Sequence, residues 1–457
     1  MELYAGVARF DITPDYPVSL LGYFNDRIST GIHDPLYCRL LALSGNGAHI
    51  MIVQIDTCLV PTSDAEYLRS EISGATDFGP DQILICTNHS HTAPALADFF
   101  EVKAEKRYRR ELFGAILEQV RRLKPLIPCT VHAASTSAPG LSHNRRWFMK
   151  NGTVTTNPPR GGTGRVMPEG AVDDGVEVIG LIDPKGEPLV LIVSISNHTD
   201  TVGGTGISAD WTGCMERAVR KGMGENVTVL PLIAPQGNIN HYDFDTFLNQ
   251  TSPEEADRIG RAYAGIVLSG WGESRHLTVD RLGALFRCVE IGPREVDART
   301  LQRAREILEH TVQSPEEADL KAEDLETPEV QHLFARELVT FYESKPVTYH
   351  VPLQVLYMGE VIFCAIPGEP FVEIGLELKR MLLSVPDGAP YSASTEPGGT
   401  VIPVALANGY FGYIPLEDCF DRGGYEVRPG RNNCLSRNAA GIVTAELKSM
   451  VRSTRAG

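Results

Sequence analysis

The sequence predicts an α/β fold with mixed β-sheets flanked by helices. Two patterns and a composition predict it. Short, nearly continuous apolar runs rich in β-branched residues recur along the chain. Stretches with apolar residues at three- and four-residue spacing lie between several of them. The composition, 42% hydrophobic and 22% charged over 457 residues, is that of an ordinary globular protein with a large core.

In chain order the apolar runs are His49–Ile55, Gln82–Thr87, Val176–Ile182, Leu189–Ile195, Val227–Ile233 and Glu360–Ile366. Each is six or seven residues long and suits a strand buried on both faces. The helix-periodic stretches are Asp64–Ile72, Lys106–Leu123, Trp211–Met223, Pro253–Leu268 and Phe371–Leu383. Strands alternating with helices predict sheets covered by helices. Two segments stand apart. Ser135–Pro168 is rich in Gly, Pro, Asn and Arg and reads as a long ordered loop or hairpin, a class of segment that is usually functional. Val296–Lys345 is charged and helix-periodic, broken at Pro315 and Pro328, and reads as a helical excursion. No internal repeat is visible. The expectation is a single catalytic domain over 1–457 with this charged helical insertion at about 296–345.

The net charge of −16 repels phosphate backbones and anionic lipid, which excludes nucleic acid as a natural partner. Nine cysteines are scattered without a CxxC pair, and Cys58, Cys86 and Cys364 sit in apolar surroundings, the pattern of a reducing compartment. No stretch approaches the ~18 apolar residues of a membrane span, and the first residues carry no secretion-signal pattern. The expectation is a cytoplasmic protein without an integral membrane segment. Nothing in the pattern specifies an oligomeric state.

Four short segments carry candidate chemistry. Thr87–Pro94 (TNHSHTAP) follows an apolar run, and the alternation of an extended chain would put His89 and His91 on one face. Ser196–Gly204 (SNHTDTVGG) follows another and brings His198 out at a strand end, where ligands of α/β sheets gather. In Ala365–Pro370 (AIPGEP), Gly368 permits a sharp turn and Glu369 projects toward the next helix start. Ala407–Tyr413 (ANGYFGY) and Tyr425 place aromatics near glycines. Plain structural readings stand beside these: hydrogen-bonded histidines, a glutamate complementing a helix dipole, and tyrosines packed in a core. Two imidazoles and a carboxylate are a common catalytic zinc set, with a water completing the shell. HExxH, a Walker loop, GxSxG and a strand-linked GxGxxG are all missing.

Taken together, these segments resemble the catalytic domain of the neutral/alkaline non-lysosomal ceramidase family, from the first residues to about Val443. Ala5–Pro14 (AGVARFDITP) is similar to the N-terminal strand of that family, and Gly31–Arg39 (GIHDPLYCR) to the strand entry that follows. TNHSHTAP resembles its THTHSGP-like metal motif, SNHTDTVGG the segment of the second histidine, PGEP its PGEFTT-like segment, and ANGYFGY its N-x-Y-x-x-Y segment. The resemblance implies Zn²⁺ held by His89, His198, Glu369 and Tyr413. It implies His91 and Tyr425 at the catalytic centre, and Arg145, in HNRRW, as an active-site arginine. At Gln236–His241 (QGNINH) Asn240 stands where the family has an active-site Ser. The chain also ends at Gly457 without the immunoglobulin-like C-terminal domain of the family. These departures shift the expected substrate from ceramide toward a smaller, more soluble amide, with a lipid-like molecule still in view. The implied activity is zinc-dependent amide hydrolysis. Ester or lactone hydrolysis at the same metal, and a non-catalytic metal-stabilised binding protein, are the alternatives.

Overall fold

The computed structural model of the chain describes residues 1–123, 126–310, 319–382 and 399–455. The strands that build its two main sheets are, in chain order, β1 (Leu3–Asp11), β2 (Tyr37–Gly45), β3 (Ala48–Ile55), β4 (Ile83–Thr87), β5 (Ile127–Ser137), β6 (Gly175–Ile182), β7 (Pro188–Ile195), β8 (Thr228–Ile233), β9 (Arg275–Leu277), β10 (Leu282–Ile291), β11 (Tyr349–Met358), β12 (Val361–Ala365) and β13 (Thr400–Val404). The α-helices are α1 (Thr62–Ala75), α2 (Lys106–Arg122), α3 (Asp210–Met223), α4 (Pro253–Gly272), α5 (Ala298–Leu308), α6 (Pro328–Ser344), α7 (Val372–Lys379) and α8 (Ala439–Arg455). All six apolar runs are strands, within a residue or two at each end. The five helix-periodic stretches are helices, with Leu383 outside the described residues. The break expected at Pro315 also lies outside them, whereas Pro328 opens α6 behind a Thr327 cap.

The sequence shows no repeat, yet the architecture repeats three times. In each unit an antiparallel meander of three strands is followed by a helix and a fourth strand parallel to the third. The units are β1–β2–β3–α1–β4, β5–β6–β7–α3–β8 and β10–β11–β12–α7–β13. A further helix, α2, α4 or α8, closes each one. The first two units join through β1 and β5 into a nine-stranded sheet of order β8-β7-β6-β5-β1-β2-β3-β4, with β9 paired to β5. The third unit is a separate four-stranded sheet.

Burial explains why the strands read as continuous apolar runs. Leu43 and Ile52 of the first unit, Leu181 and Leu230 of the second, and Met358, Phe363 and Ile402 of the third belong to one shared cluster. The opposite face of each sheet packs under its own helices: α1 and α2, α3 and α4, and α7 and α8. Since neither face meets water, alternation is lost.

In each unit the first, third and fourth strands run the same way, so their C-terminal ends lie on one edge. Backbone bonds stitch these edges together across units. Asn408 N–H donates to the Ile85 carbonyl and Ala405 N–H to that of Ile233. The connections from first to second strand leave from the same edges and are all long: residues 12–36, 138–174 and 292–348. The second holds the segment expected as a loop or hairpin, which forms a three-stranded sheet of Arg146–Met149, Val154–Thr156 and Arg165–Pro168. The third holds α5 and α6. Among the described residues no helix is long and apolar enough to cross a membrane.

The shared core generates a stability prediction. Phe363→Ala, at a position 1% exposed where the sheets meet, should destabilise the protein by about 3–5 kcal/mol in denaturant unfolding. Val347→Ala, 92% exposed, should stay within about 0.5 kcal/mol of the parent. Equal small effects at both positions would contradict a load shared by three units.

Candidate active site

The candidate residues gather where the three strand edges converge. His89 and His91 follow β4, His198 follows β7, Glu369 follows β12, and Tyr413 follows β13. They line one narrow cavity of about 40 Å³ together with Arg145 and Tyr425.

Local backbone geometry sets each donor. His89 adopts a left-handed φ of 64°, so the two imidazoles meet through a turn and not through the alternation of an extended strand. The Nε2 atoms of His89 and His91 are 3.3 Å apart. Gly22, at φ 134°, lies so close that a Cβ there would sit 2.5 Å from that of His91; only glycine lets the first connection approach. Glu369 lies in a two-residue parallel pairing with Tyr413, which makes the carboxylate and the phenol direct neighbours. Gly368 makes that possible, because at φ 132° a Cβ would press on the Gly412 carbonyl at 2.4 Å. Phe371 precedes α7, so Glu369 is not that helix's cap.

Hydrogen bonds fix the outer side of each group. The Cys58 carbonyl lies 2.8 Å from His89 Nδ1, which turns Nε2 inward. Tyr410 donates to Glu369 Oε1 at 2.8 Å. The other carboxylate oxygen, Oε2, is buried and has no hydrogen-bond partner among the described residues. It lies 3.3 Å from His89 Nε2 and 3.9 Å from His198 Nε2. Ligand atoms at about 2.0–2.1 Å from a tetrahedral zinc are about 3.3–3.4 Å from one another, so these three converge at metal-ligand spacing. His89, His198 and Glu369 form a buried cluster able to hold a metal ion.

Charge tells the same story. Burial favours a neutral ring at His89, but Glu369 outweighs it and raises the imidazole well above its ordinary value. Burial likewise pushes against the Glu369 carboxylate, and the His89 charge lowers it again. Burial and the His89 charge hold both His91 and His198 well below the usual histidine range. The carboxylate therefore keeps its charge and demands a cation, and a metal would replace the His89 proton.

Arg145 is buried against Glu426, with Nε 2.9 Å from Oε1 and a second nitrogen donating to the Gly237 carbonyl at 2.8 Å. Its guanidinium carbon stands 5.4 Å from the Tyr413 ring and 6.0 Å from that of Tyr425. The two rings are 5.2 Å apart, edge to face. Burial raises both phenols, so each stays protonated in the absence of a metal. Asn240 departs from expectation: it does not line the cavity. Its amide nitrogen donates to Asn157 Oδ1 at 2.8 Å, and Asn157 is the residue that reaches the wall. The short β-bridge of Ile239–Asn240 with His143–Asn144 turns Asn240 away from the centre.

Sequence reasoning missed other groups. Asp200, two residues after His198, lines the cavity with Oδ1 3.2 Å from His241 Nδ1. Burial opposes its charge, but the neighbouring His241, with His198 and His91, lowers it well below the carboxylate range. Cys58 and Tyr410 orient ligands, and Tyr23 and Lys321 form wall. Asp200 and Tyr410 lay inside quoted motifs as titratable neighbours; Cys58, Tyr23 and Lys321 depend on contacts distant in sequence.

Solved structures resemble this one along its full length. A crystal structure of neutral ceramidase from Pseudomonas aeruginosa superposes at a TM-score of 0.72 with 15% identity, covering 100% of this chain and 75% of that one. A ceramidase complexed with C2 matches at 0.72 and 14%, with the same coverage. The chain has the neutral ceramidase fold. No family model and no curated protein matches its sequence. The ceramidase fold thus persists here at an identity where only architecture is retained, and the converging strand edges are part of it.

The unpartnered carboxylate predicts metal-linked stability. A divalent transition metal added to chelator-treated protein at about a thousandfold excess over Kd should stabilise it by about 4 kcal/mol. Glu369→Gln should lose most of that gain in thermal denaturation. An identical gain in wild type and variant would place the metal elsewhere.

Proposed function

We propose that the protein is a zinc-dependent amidohydrolase of the ceramidase type, acting on a small amide. The observation that carries this reading is the buried, unpartnered Glu369 Oε2 facing His89 Nε2 and His198 Nε2 in a cavity walled by Arg145, Tyr413 and Tyr425. Zinc is favoured because two imidazoles and a carboxylate suit it and the reaction needs no redox chemistry. His89, His198, Glu369 and Tyr413 would hold it, Tyr413 after losing its proton beside Arg145. When bound there, zinc supplies Lewis-acid polarisation of a carbonyl and acidification of water.

The chain's own groups do the rest. His91, kept neutral by burial, takes a proton from the attacking water and returns it to the leaving nitrogen as the C–N bond breaks. Tyr425, kept protonated by burial, donates to the oxyanion that forms on the carbonyl oxygen. Glu426 holds Arg145 beside both phenols, where its charge favours the tetrahedral state. Residues 1–457 are read as one catalytic domain, with the 296–345 segment as part of its wall. A cavity of about 40 Å³ supports a substrate much smaller than long-chain ceramide.

Metal analysis beside steady-state kinetics tests this reading. Purified protein should carry about one zinc per chain, and His89→Ala or His198→Ala should lose it. Tyr413→Phe should weaken the metal. Tyr425→Phe should keep it and lower kcat by about 10²–10³ with little change in KM. Full zinc in both histidine variants would overturn the site. Zinc lost in Tyr425→Phe and kept in Tyr413→Phe would exchange the two roles. Turnover of long-chain ceramide matching that of small amides would overturn the substrate assignment.

A further inference from the structure

At the cavity stands a second polar group whose members come from two different connections. Tyr23 and Arg27 belong to the first, and Lys321 to the third. Tyr23 is 1% exposed, lines the cavity, and its hydroxyl has no hydrogen-bond partner among the described residues. Arg27 clamps its ring, the guanidinium carbon 3.9 Å from the centroid, while two of its nitrogens are spent on the carbonyls of Gly204 and His91. The half-buried Lys321 also lines the cavity, its ammonium 5.3 Å from the Tyr23 centroid. Among the described residues that ammonium has no hydrogen-bond acceptor and no ion-pair partner.

The neighbouring carboxylates Asp200 and Glu323 favour the Lys321 charge, but neither forms an ion pair with it among the described residues. Asp200 faces His241 at 3.2 Å, and Glu323 Oε1 accepts from the Asn157 amide at 2.7 Å. A hydroxyl donor and an ammonium are thus aimed into a cavity without an acceptor of their own. An unsatisfied buried donor costs free energy, and a charge-assisted bond to an anion removes that cost.

Resting on the reading of the site as an amide hydrolase, we infer that its substrate carries a carboxylate close to the scissile amide, bound by Tyr23 and Lys321. The chemical class is that of small N-acylated amino acids or half-amides of dicarboxylic acids. The segment that carries Lys321 thus selects the substrate while the strand ends supply the chemistry.

The test uses two matched pairs on zinc-loaded protein: N-acetylglycine against N-acetylglycinamide, and succinamate against succinamide. In at least one pair the acid should be favoured in kcat/KM by about tenfold or more, the worth of one charge-assisted bond. The same acid should raise Tm more than its carboxamide does. Lys321→Met should bring both differences close to nil, Tyr23→Phe should reduce them severalfold, and Lys321→Arg should restore the preference in a folded protein. Cleavage of acid and carboxamide at equal rates, or a preference that survives in Lys321→Met, overturns the inference and leaves hydrolysis standing. A Lys321-dependent Tm gain with the acid but no cleavage of any compound keeps the carboxylate pocket and overturns the hydrolase reading. Neither cleavage nor a Tm gain overturns both.

Discussion

Three four-stranded units that each need both faces covered, built from one chain, have few ways to pack. Here each places its helices outside and turns its inner face to the other two, so that residues as distant as Leu43, Leu230 and Phe363 share one cluster. Sheet-on-sheet packing fixes strand direction within narrow limits. Because the first, third and fourth strands of every unit are parallel to one another, the inner packing also gathers their C-terminal ends. The backbone bonds from Ala405 to Ile233 and from Asn408 to Ile85 lock that gathering across unit boundaries. His89, His198 and Glu369 then need only to lie within a few residues of a strand end, as they do, while Tyr413 reaches the site through its pairing with Glu369.

The second consequence is electrostatic. Converging strand ends bury charge, and a charge in the interior needs a partner. The structure meets this demand with fixed groups. Glu426 holds Arg145 and Arg146, and Glu169 takes the other side of Arg146. Arg39 is shared by Asp56 of the first unit and Glu216 on α3 of the second. Asp200 leans on His241. Against that background, Glu369 Oε2 stands out: among the described residues it has no hydrogen-bond partner, and it faces two imidazole nitrogens. Groups held this firmly do not reorganise when charge develops, and preorganisation of this kind is the usual source of electrostatic catalysis.

The fold also divides labour between strand ends and connections. Strand ends hold the candidate metal ligands His89, His198 and Glu369. The long connections bring in Tyr23, Arg145, Asn157 and Lys321, which line the cavity. A connection of 12–36, 138–174 or 292–348 can change length or composition without disturbing the shared core. The ceramidase fold can therefore keep its centre while its walls diverge, consistent with full-length superposition at 15% identity.

Much of this was written in the sequence as local pattern. Six apolar runs and five periodic stretches specified strands and helices, because burial on both sheet faces and on one helix face leaves a direct trace in residue order. Strand-end histidines marked where a site would form. The threefold repeat left no such trace, since many apolar sequences satisfy the same burial and only pairing reveals the shared topology. The positive φ of His89 and the Glu369–Tyr413 pairing were equally silent, since neither leaves a trace in residue spacing. Asn240 was misplaced for the same reason: position in a motif says which residues are near in sequence, while a two-residue bridge decides which side chain faces the cavity. Sequence alone determined the elements and most of the reactive groups. Tertiary structure decided which of them meet, because that depends on packing between segments hundreds of residues apart, as with the 348-residue separation of Thr62 and Tyr410.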